Sequence, residues 1–545
     1  MKKINRLTLV LTLMAAGLFA GCASDEEATR ENQKIALDGS HFKFTEVAYQ
    51  ADQAVTRAAA SVKPTTVDLG DGLEAEVSVT PDAPTGKTRA VDPISDGKYT
   101  ILAFDATTHD LQGKLKGSVT GGVFTPDAGQ KLLLDPGTYD FTCFSEPVEY
   151  DEPNNRLVVN HFLTKNPMIG HVQATIADDD YEVAFNMEHK AIRVRFNITS
   201  DILSENTPID AYLKGVVPGP WYWMHDWYTA YSGVLNNAGN GDFGSGTLNF
   251  KTVAPVTTQA GTTYTSDYVY MLQGVSSHDH LSTHPIQFTA GTIGGAPLVG
   301  KIVGLNDPPQ WTNNQSVTIN VNVKGQLYLF EDGKARVLAG KGTHTPIGVV
   351  LQQKWEPTNQ KGIAIALKDV SNVTVAYTTP YNAAKMNTQH NTTHYTDAND
   401  AVNDMEGYKW TYEKAGSVDG RIKANFSSDY TPFYQAANYN PGVMVTGANV
   451  GKWYVPALGE WALSWKVLGQ WDGNIPSWGM LTMSVAKMNN IFTAANGEAL
   501  KTYQYWNSTE YEGMMIPVLY VGTAFSISSN ATHNITGYVR PFVHF

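Results

Sequence analysis

Cys22 is the residue whose setting in the sequence points most directly to a covalent reaction. A basic N-terminus is followed by an apolar stretch from residue 7 to 21, which is too short to span a bilayer and is typical of a signal peptide. The small residues Ala20 and Gly21 stand directly before the cysteine, as at the cleavage site of bacterial lipoproteins. We therefore predict that residues 1–22 are a lipoprotein signal peptide and that the Cys22 thiol accepts the lipid. An ordinary signal peptide cut at Ala20 or Gly21 is the alternative.

The second cysteine and one glycine-rich stretch have simpler structural interpretations. Cys143 alternates with Tyr139 and Phe141, so we expect it to be a small buried side chain rather than a nucleophile. The glycines in residues 239–244 have the spacing of a dinucleotide-binding loop, but a strand rather than a helix is predicted to follow them. This favours a turn.

Two polar clusters have residue types that bind metals. His278, His280 and His284 could ligate a metal ion, but their Ser, Thr and Pro neighbours favour an exposed loop. The acidic cluster at 397–404 has Val402 where a calcium-binding loop needs glycine. No phosphate loop, zinc-protease helix or nucleophile elbow is present in the sequence. We predict no catalytic residue, no metal site and no cofactor.

The composition excludes some classes of function and favours one class of fold. The formal net charge is −13 and Lys and Arg form no run, which argues against a nucleic-acid partner. The chain of 545 residues has 48 Gly and 27 Tyr and is only 17% charged, which favours turn-rich β structure over long solvated helices. Two cysteines cannot make a disulfide framework. We expect a mostly β protein of three to four domains.

The pattern along the chain predicts three folded regions after a polar tether at 23–64. Short alternating strands separated by turn residues predict a β-sandwich over 65–204 and a second one over 205–325. Mixed patterns over 326–545 predict an α+β domain. The predicted strands are 67–79, 99–104, 132–134, 139–144, 181–185, 191–198, 317–323, 515–521 and 538–545, and the predicted helices are 456–467 and 485–495. The acidic start of the tether resembles an export tag for surface lipoproteins, with a simple solvated tether as the alternative.

An aromatic cluster near the start of the second β region could stack on sugar rings, although a core or domain contact is the more common role. Its members are Trp221, Tyr222, Trp223, Trp227 and Tyr228.

The first two regions resemble fimbrillin-family subunits of type V pili. The motifs that carry this resemblance are Lys87–Val91, Lys98–Asp105, Leu134–Tyr139, Asn166–Met168 and His189–Arg195. The resemblance covers about 65–325 and implies two transthyretin-like sandwiches. It also implies assembly by strand exchange with other fimbrillin subunits, a form of β-augmentation.

The same resemblance gives two arginines a possible role in processing. Fimbrillin precursors lose their first strand by cleavage after an arginine, and both Arg57 and Arg89 stand in Thr-Arg-Ala sequences. Arg89, with Ala90 as the new N-terminus, suits this role better because it follows the predicted strand 67–79. The alternative is that both arginines are ordinary loop residues and the lipid stays attached, as in an anchor subunit.

The third region resembles the disulfide-free bacterial C-type-lectin-like domain. Its motifs are Tyr328–Gly333, Pro346–Val350, Gly362–Asp369, Trp453–Glu460, Tyr505–Glu510 and Tyr538–Pro541. The stretches that would hold calcium and sugar are Trp355–Thr358 and Trp506–Ser508, and each lacks its last ligand. We therefore expect no calcium-dependent sugar site, and we expect Arg540 and Glu510 to form a buried pair that locks the fold.

Together these observations predict a non-enzymatic surface lipoprotein. It would be anchored in the outer membrane through Cys22 and enter a pilus after processing. There it would accept a donor strand as a tip or accessory subunit. Its lectin-like head would be presented to a glycan or protein on a host or bacterial surface. A strand near Val317 cannot be donated, because about 220 residues follow it. The alternative function is a carbohydrate-binding or carbohydrate-processing surface lipoprotein that is not part of a pilus.

Overall fold

The structure is a computed structural model that describes residues 34–49, 64–82, 92–160, 162–178, 180–203, 208–214, 225–237, 247–252, 254–272, 285–304, 314–378, 398–471, 473, 480–481, 483–510, 518–522, 525–528 and 536–545. The fold is mostly β. The strands before residue 204 are β1 (Ile35–Leu37), β2 (Phe42–Glu46), β3 (Thr65–Gly70), β4 (Leu73–Pro81), β5 (Asp92–Pro93), β6 (Gly97–Asp105), β7 (Leu111–Thr120), β8 (Val123–Pro126), β9 (Leu132–Leu134), β10 (Gly137–Ser145), β11 (Val148–Asp151), β12 (Arg156–Asn160), β13 (Phe162–Leu163), β14 (Met168–Ile176), β15 (Val183–His189) and β16 (Ile192–Ser200).

The middle of the chain contributes β17 (Asp210–Lys214), β18 (His225–Thr229), β19 (Leu235–Asn237), β20 (Thr247–Lys251), β21 (Val256–Thr258), β22 (Gly261–Thr265), β23 (Val269–Met271), β24 (Ile286–Ala290), β25 (Thr292–Ile293), β26 (Ala296–Pro297), β27 (Ile302–Val303) and β28 (Ser316–Gly325).

The rest of the chain contributes β29 (Tyr328–Phe330), β30 (Ala335–Arg336), β31 (Pro346–Gln352), β32 (Ile363–Ala366), β33 (Val375–Ala376), α1 (Ala398–Ala401), α2 (Gly407–Tyr412), α3 (Thr431–Ala437), β34 (Trp453–Tyr454), α4 (Leu458–Gly469), β35 (Met480–Leu481), α5 (Val485–Ala494), β36 (Gln504–Tyr505), β37 (Val518–Val521), β38 (Phe525–Ser528), β39 (Thr536–Gly537) and β40 (Phe542–His544).

The N-terminal sheet has the strand order β5-β2-β15-β14-β10-β6-β7-β8. Its long strands alternate apolar and polar side chains, and one face buries a core that includes Phe42, Phe141, Cys143 and Phe185. Cys143 is fully buried, as the sequence predicts. The opposite face packs on the small sheet β11-β12-β18-β19, which contains Tyr228.

The central sheet has the order β13-β23-β16-β28-β4-β3, and β20-β17-β24-β27 forms a second sheet whose buried side chains share its core. Strand β28 lies between β16, to which it is parallel, and β4, to which it is antiparallel. Alternate residues of β28, such as Ile319 and Val321, are fully buried. The predicted strands at 191–198 and 317–323 are therefore confirmed.

The head, residues 326–545, contains a sheet of order β30-β29-β31-β32-β40-β34 with helices packed around it. Helix α4 buries Trp461, Trp465 and Leu468, whose spacing places them on one helix face. At its start the Ala457 N–H donates to the Glu460 carboxylate at 2.7 Å, which satisfies a free backbone donor of the first turn. Both predicted helices are confirmed, as α4 and α5.

Strand pairing corrects two of the predicted boundaries. Residues 35–46, predicted as tether, form β1 and β2, because their alternating apolar side chains fill the N-terminal core. The predicted first sandwich, 65–204, includes residues 65–81 and 192–200, but these pair in the central sheet. The described residues that precede Arg89, 34–49 and 64–82, are called the leader below. The leader supplies strands to both sheets.

Candidate functional site

The residues predicted for lipidation and proteolytic processing all lie outside the described residues. These are Cys22, Arg57, Arg89 and Ala90. The described strands nearest to the two arginines in the sequence can be compared, however. Arg57 falls between the end of β2 and the start of β3, whereas Arg89 falls between β4 and β5. The strands on the N-terminal side of each arginine, and what holds them, can therefore be compared.

In the N-terminal sheet the leader contributes the parallel strand β2 beside β15. The register runs from Phe42 opposite Val183 to Glu46 opposite Met187. The Phe44 ring stacks on the Phe185 ring with centroids 5.6 Å apart. Glu46 of β2 is bound by Ser95, a residue that follows Arg89 in the sequence. The N–H and the hydroxyl of Ser95 donate to the Glu46 carboxylate at 3.0 and 2.7 Å.

In the central sheet the leader contributes the hairpin β3–β4. Strand β4 pairs with β28 over nine residues, from Leu73 opposite Gly325 to Pro81 opposite Val317. Leu73, Ala75 and Val77 point into the core and are at most 1% exposed. Without the hairpin, β28 would be an edge strand with an unpaired backbone and an open apolar groove beside it.

The end of β2 and the start of β16 meet where the two sheets join. The Tyr49 ring stacks on the His189 ring at 3.7 Å, and its hydroxyl donates to Asn166 at 3.0 Å. The Arg193 guanidinium lies 4.1 Å from the centre of the Tyr49 ring. Burial, assisted by the positive charge of Arg193, lowers the pKa of His189 to about 3. Burial at this junction therefore disfavours the charged form of His189.

Asp82, the first residue after β4, is the second leader side chain held at this junction. Its carboxylate accepts hydrogen bonds from Ser316 at 2.5 Å, from Tyr268 at 2.7 Å and from Thr318. Arg195 lies 3.5 Å away. Burial opposes ionisation, but the three hydroxyl donors and Arg195 outweigh it and hold the pKa of Asp82 below its usual range.

The two stretches that correspond to the calcium and sugar ligands of C-type lectins, Trp355–Thr358 and Trp506–Ser508, differ in exposure. Glu356 lies in an exposed 3-10 turn, Glu356–Thr358, whereas Trp506, Asn507 and Ser508 are at most 1% exposed. The Trp506 indole N–H donates to the Val375 carbonyl at 2.7 Å. The Trp506 region therefore has a structural role.

The predicted pair between Arg540 and Glu510 is wrong. The Arg540 Nε donates to Asp369 at 2.6 Å, and its other nitrogens donate to backbone carbonyls. Glu510 instead accepts hydrogen bonds from Lys423 at 3.3 Å and Tyr377 at 2.9 Å. Each charge thus has a buried partner of opposite sign from another loop, which sequence spacing alone does not reveal.

A cleft of about 720 Å³ lies between the head and the β25–β26 turn of the central region. Polar side chains, including Gln353, Lys354 and Asn449, line much of it. The carboxamide of Gln353 spans the junction, since it accepts from the Leu203 N–H at 2.8 Å and donates to the Asp201 carbonyl at 2.6 Å. The core of the central region also continues into the head through Leu327 and Leu329.

The metal-binding and glycine-rich candidates that the sequence disfavours lie partly within the described residues. No group of three or more His, Cys, Asp and Glu side chains there could hold a metal ion. The Asp404 carboxylate is engaged in the core, where it accepts from Trp410 and Thr509. The histidines at 278–284 and the glycines at 239–244 lie outside the described residues, as do Trp221, Tyr222 and Trp223. Among the described helices, none is long and apolar enough to cross a membrane.

One site that the sequence does not predict brings together Asp82, Tyr49, Arg193 and Arg195. The available signal is the alternation of Arg193 and Arg195 with buried residues on β16, which places two cations on one face of a strand. Their partners are far away in sequence, so only the fold brings them together.

No family model matches this chain, and no curated protein matches it either. Several solved structures do. A putative cell adhesion protein from Bacteroides fragilis is 13% identical, with a TM-score of 0.32, over 54% of this chain and 93% of that one. A fimbrial protein from Bacteroides ovatus is 13% identical, with a TM-score of 0.28, over 94% and 100%. The tip fimbrial protein Mfa3 from Porphyromonas gingivalis, with a C-terminal truncation, is 11% identical, with a TM-score of 0.25, over 43% and 95%.

Proposed function

We propose that this chain is a surface lipoprotein that becomes a strand-accepting pilus subunit when its leader is removed, and that its head serves adhesion. The observation that carries the proposal is the placement of the leader. Its strands complete both sheets, yet Arg57 and Arg89 stand in the connections that follow them. Together with the fimbrillin-like motifs, this arrangement supports assembly by strand exchange.

The two arginines differ in what cleavage would release. A cut after Arg57 separates β1 and β2 from the rest and leaves the β3–β4 hairpin in place. A cut after Arg89 separates all four strands, so that β15 and β28 both lose a neighbour. Only the second cut opens a groove in both sheets, and we therefore favour Arg89 as the processing site.

The subunit would accept a strand without donating one. Strand β28, the last long strand before the head, pairs with β16 as well as with the leader strand β4, and only Gln326 and Leu327 separate it from β29. It cannot leave the sheet without moving the head. This supports a position at the pilus tip. Before processing, lipid on Cys22 would hold the precursor in the outer membrane.

To test processing, the full chain and its Arg57→Ala and Arg89→Ala variants are co-expressed with a shaft pilin, and the pili are labelled with an antibody to the head. We expect label at one pilus end for the wild type and for Arg57→Ala, and no labelled pili for Arg89→Ala. Label along the shaft would refute the non-donor role, and labelled pili from Arg89→Ala would refute processing at that residue.

To test the head, the full chain is applied to arrays of glycans and matrix proteins. Binding without turnover supports adhesion. Turnover of a bound glycan would instead support the alternative of a carbohydrate-processing lipoprotein.

A further inference from the structure

The carboxylate of Asp82 occupies a polar site that is built almost entirely by residues outside the leader. Asp82 extends the pairing of β4 with β28, since its N–H donates to the Ser316 carbonyl at 2.9 Å. Its side chain is only 10% exposed. The donors to its carboxylate, Ser316, Thr318 and Tyr268, all follow Arg89 in the sequence, so they would remain after processing.

Two arginines also contact these donors, and one of them, Arg195, lies 3.5 Å from the Asp82 carboxylate itself. The Nε of Arg193 donates to the Ser316 hydroxyl at 2.6 Å, and the Nε of Arg195 donates to the Thr318 hydroxyl at 3.0 Å. Each hydroxyl oxygen already accepts a hydrogen bond from a cation, so its own proton is directed at the carboxylate. The site is therefore preorganised for an anion.

Tyr268 holds the two cations in place from one side. The guanidinium of Arg193 lies 4.6 Å from the centre of its ring and that of Arg195 lies 4.9 Å away. In the described part of the chain, Asp82 is the carboxylate that contacts Arg195 and the three hydroxyl groups, so its departure would leave them without that anion. Such a site binds a carboxylate more strongly than a neutral amide, because hydrogen bonds to a charged acceptor are the stronger ones.

We propose that Arg193, Arg195, Tyr268, Ser316 and Thr318 form a recognition site for a carboxylate on the strand that another pilus subunit inserts beside β28. The carboxylate stands one residue beyond the partner of Val317, where Asp82 stands before processing. The proposal rests on the proposed function, since it requires the leader to leave. The added requirement is that the inserted strand of the partner subunit carries a carboxylate at this position. Before processing, the carboxylate of Asp82 takes the place of that group.

The test uses the full chain with a specific protease site in place of residues 87–91, cleaved after folding. Fluorescent peptides of residues 64–82, amidated at the C-terminus, then compete with the resident leader for the groove. One peptide has the natural sequence and one carries Asp82→Asn. The matched control carries Glu76→Gln, which removes one charge from the same strand where Glu76 makes an exposed pair with Lys324 at 2.9 Å.

We expect Asp82→Asn to weaken peptide incorporation at least about tenfold, as for loss of charged hydrogen bonds, and Glu76→Gln to weaken it less than about threefold. In a Tyr268→Phe chain, which keeps the ring over the arginines, the preference for the natural peptide over the Asp82→Asn peptide should shrink. A peptide with Asp82→Gly and a free C-terminus distinguishes a terminal carboxylate from a side-chain carboxylate as the group that is bound.

Equal incorporation of the natural peptide and the Asp82→Asn peptide would overturn the recognition site while leaving strand exchange intact. An equal loss for the Glu76→Gln peptide would do the same, because the effect would then reflect general charge. If no peptide enters the groove of the cleaved chain, both the strand-accepting function and the recognition site are refuted.

Discussion

Replacing Arg540 by methionine should destabilise the head strongly, because its guanidinium and the Asp369 carboxylate are buried together. Their side chains are 0% and 1% exposed, and the Nε–Oδ1 distance is 2.6 Å. Removing one partner of a buried pair leaves an uncompensated charge and costs about 3–5 kcal/mol. Arg540→Met also removes the guanidinium donors to the Leu367 and Glu498 carbonyls, although the Leu367 carbonyl keeps the Glu498 N–H at 2.8 Å.

The assay is denaturant unfolding of the full chain followed by tryptophan fluorescence. This signal reports chiefly on the head, since eight of the 12 tryptophans lie at or beyond residue 355. Lys501→Met is the control, because Lys501 makes only an exposed pair with Glu498 at 4.0 Å and should cost less than about 1 kcal/mol.

A double variant separates the pair from its surroundings. Asp369→Asn combined with Arg540→Met removes both charges, so it should lose less stability than the sum of the single variants, by about 2 kcal/mol or more. Simple additivity would refute the claim that the two charges stabilise each other. A loss from Arg540→Met no larger than that from Lys501→Met would refute the claim that the pair locks the head.

Three further predictions concern other parts of the chain. His189 has a folded-state pKa of about 3, below its ordinary value, so only the unfolded chain takes up a proton at this residue on acidification. The free energy of unfolding should therefore fall as the pH drops below about 6.5. In chemical unfolding at pH 5, His189→Phe should remove about 2 kcal/mol of that loss. A Cβ on Gly340 would lie 2.6 Å from the backbone of the β25–β26 turn, so Gly340→Ala should cost about 1–3 kcal/mol by thermal unfolding. Gly304→Ala, whose Cβ would have no atom of the described residues within 4 Å, should be neutral. Cys143 is fully buried and burial raises the pKa of its thiol, so a thiol reagent should not label it in the native chain. In denaturant, the lipid-modified protein should show one reactive thiol, whereas a form with a free Cys22 thiol should show two.

Local patterns in the sequence predict much of the secondary structure but not the sheet to which each strand belongs. The strands at 132–134 and 317–323 and the helix around Trp461 follow from alternation and from the helical repeat, which are properties of neighbouring residues. The pairing of β4 with a strand about 240 residues later depends on the whole topology. For that reason the sequence patterns predict the wrong sheet for residues 65–81 and a tether for residues 35–46.

The candidate site follows the same division. The motifs around Arg57 and Arg89 are visible in the sequence because each is contiguous. The carboxylate site around Asp82 is assembled from β16, β28, the residue before β23 and the end of the leader, so no contiguous pattern contains it. The predicted Arg540–Glu510 pair is wrong for the same reason, because no contiguous pattern contains both partners. Asp369 and Glu510 are equally plausible partners for Arg540 until the fold places their loops.

The direct connection between β28 and the head has a mechanical consequence. Only two residues separate β28 from β29, so a pull on a bound head would reach the C-terminal end of β28 along the strand axis. Strand β28 is flanked by β16 and β4, and its pairing with β4 extends over nine residues. Force in that direction shears the ladders, so their hydrogen bonds share the load instead of opening one after another. An inserted strand in place of β4 would pass the same tension to the next subunit.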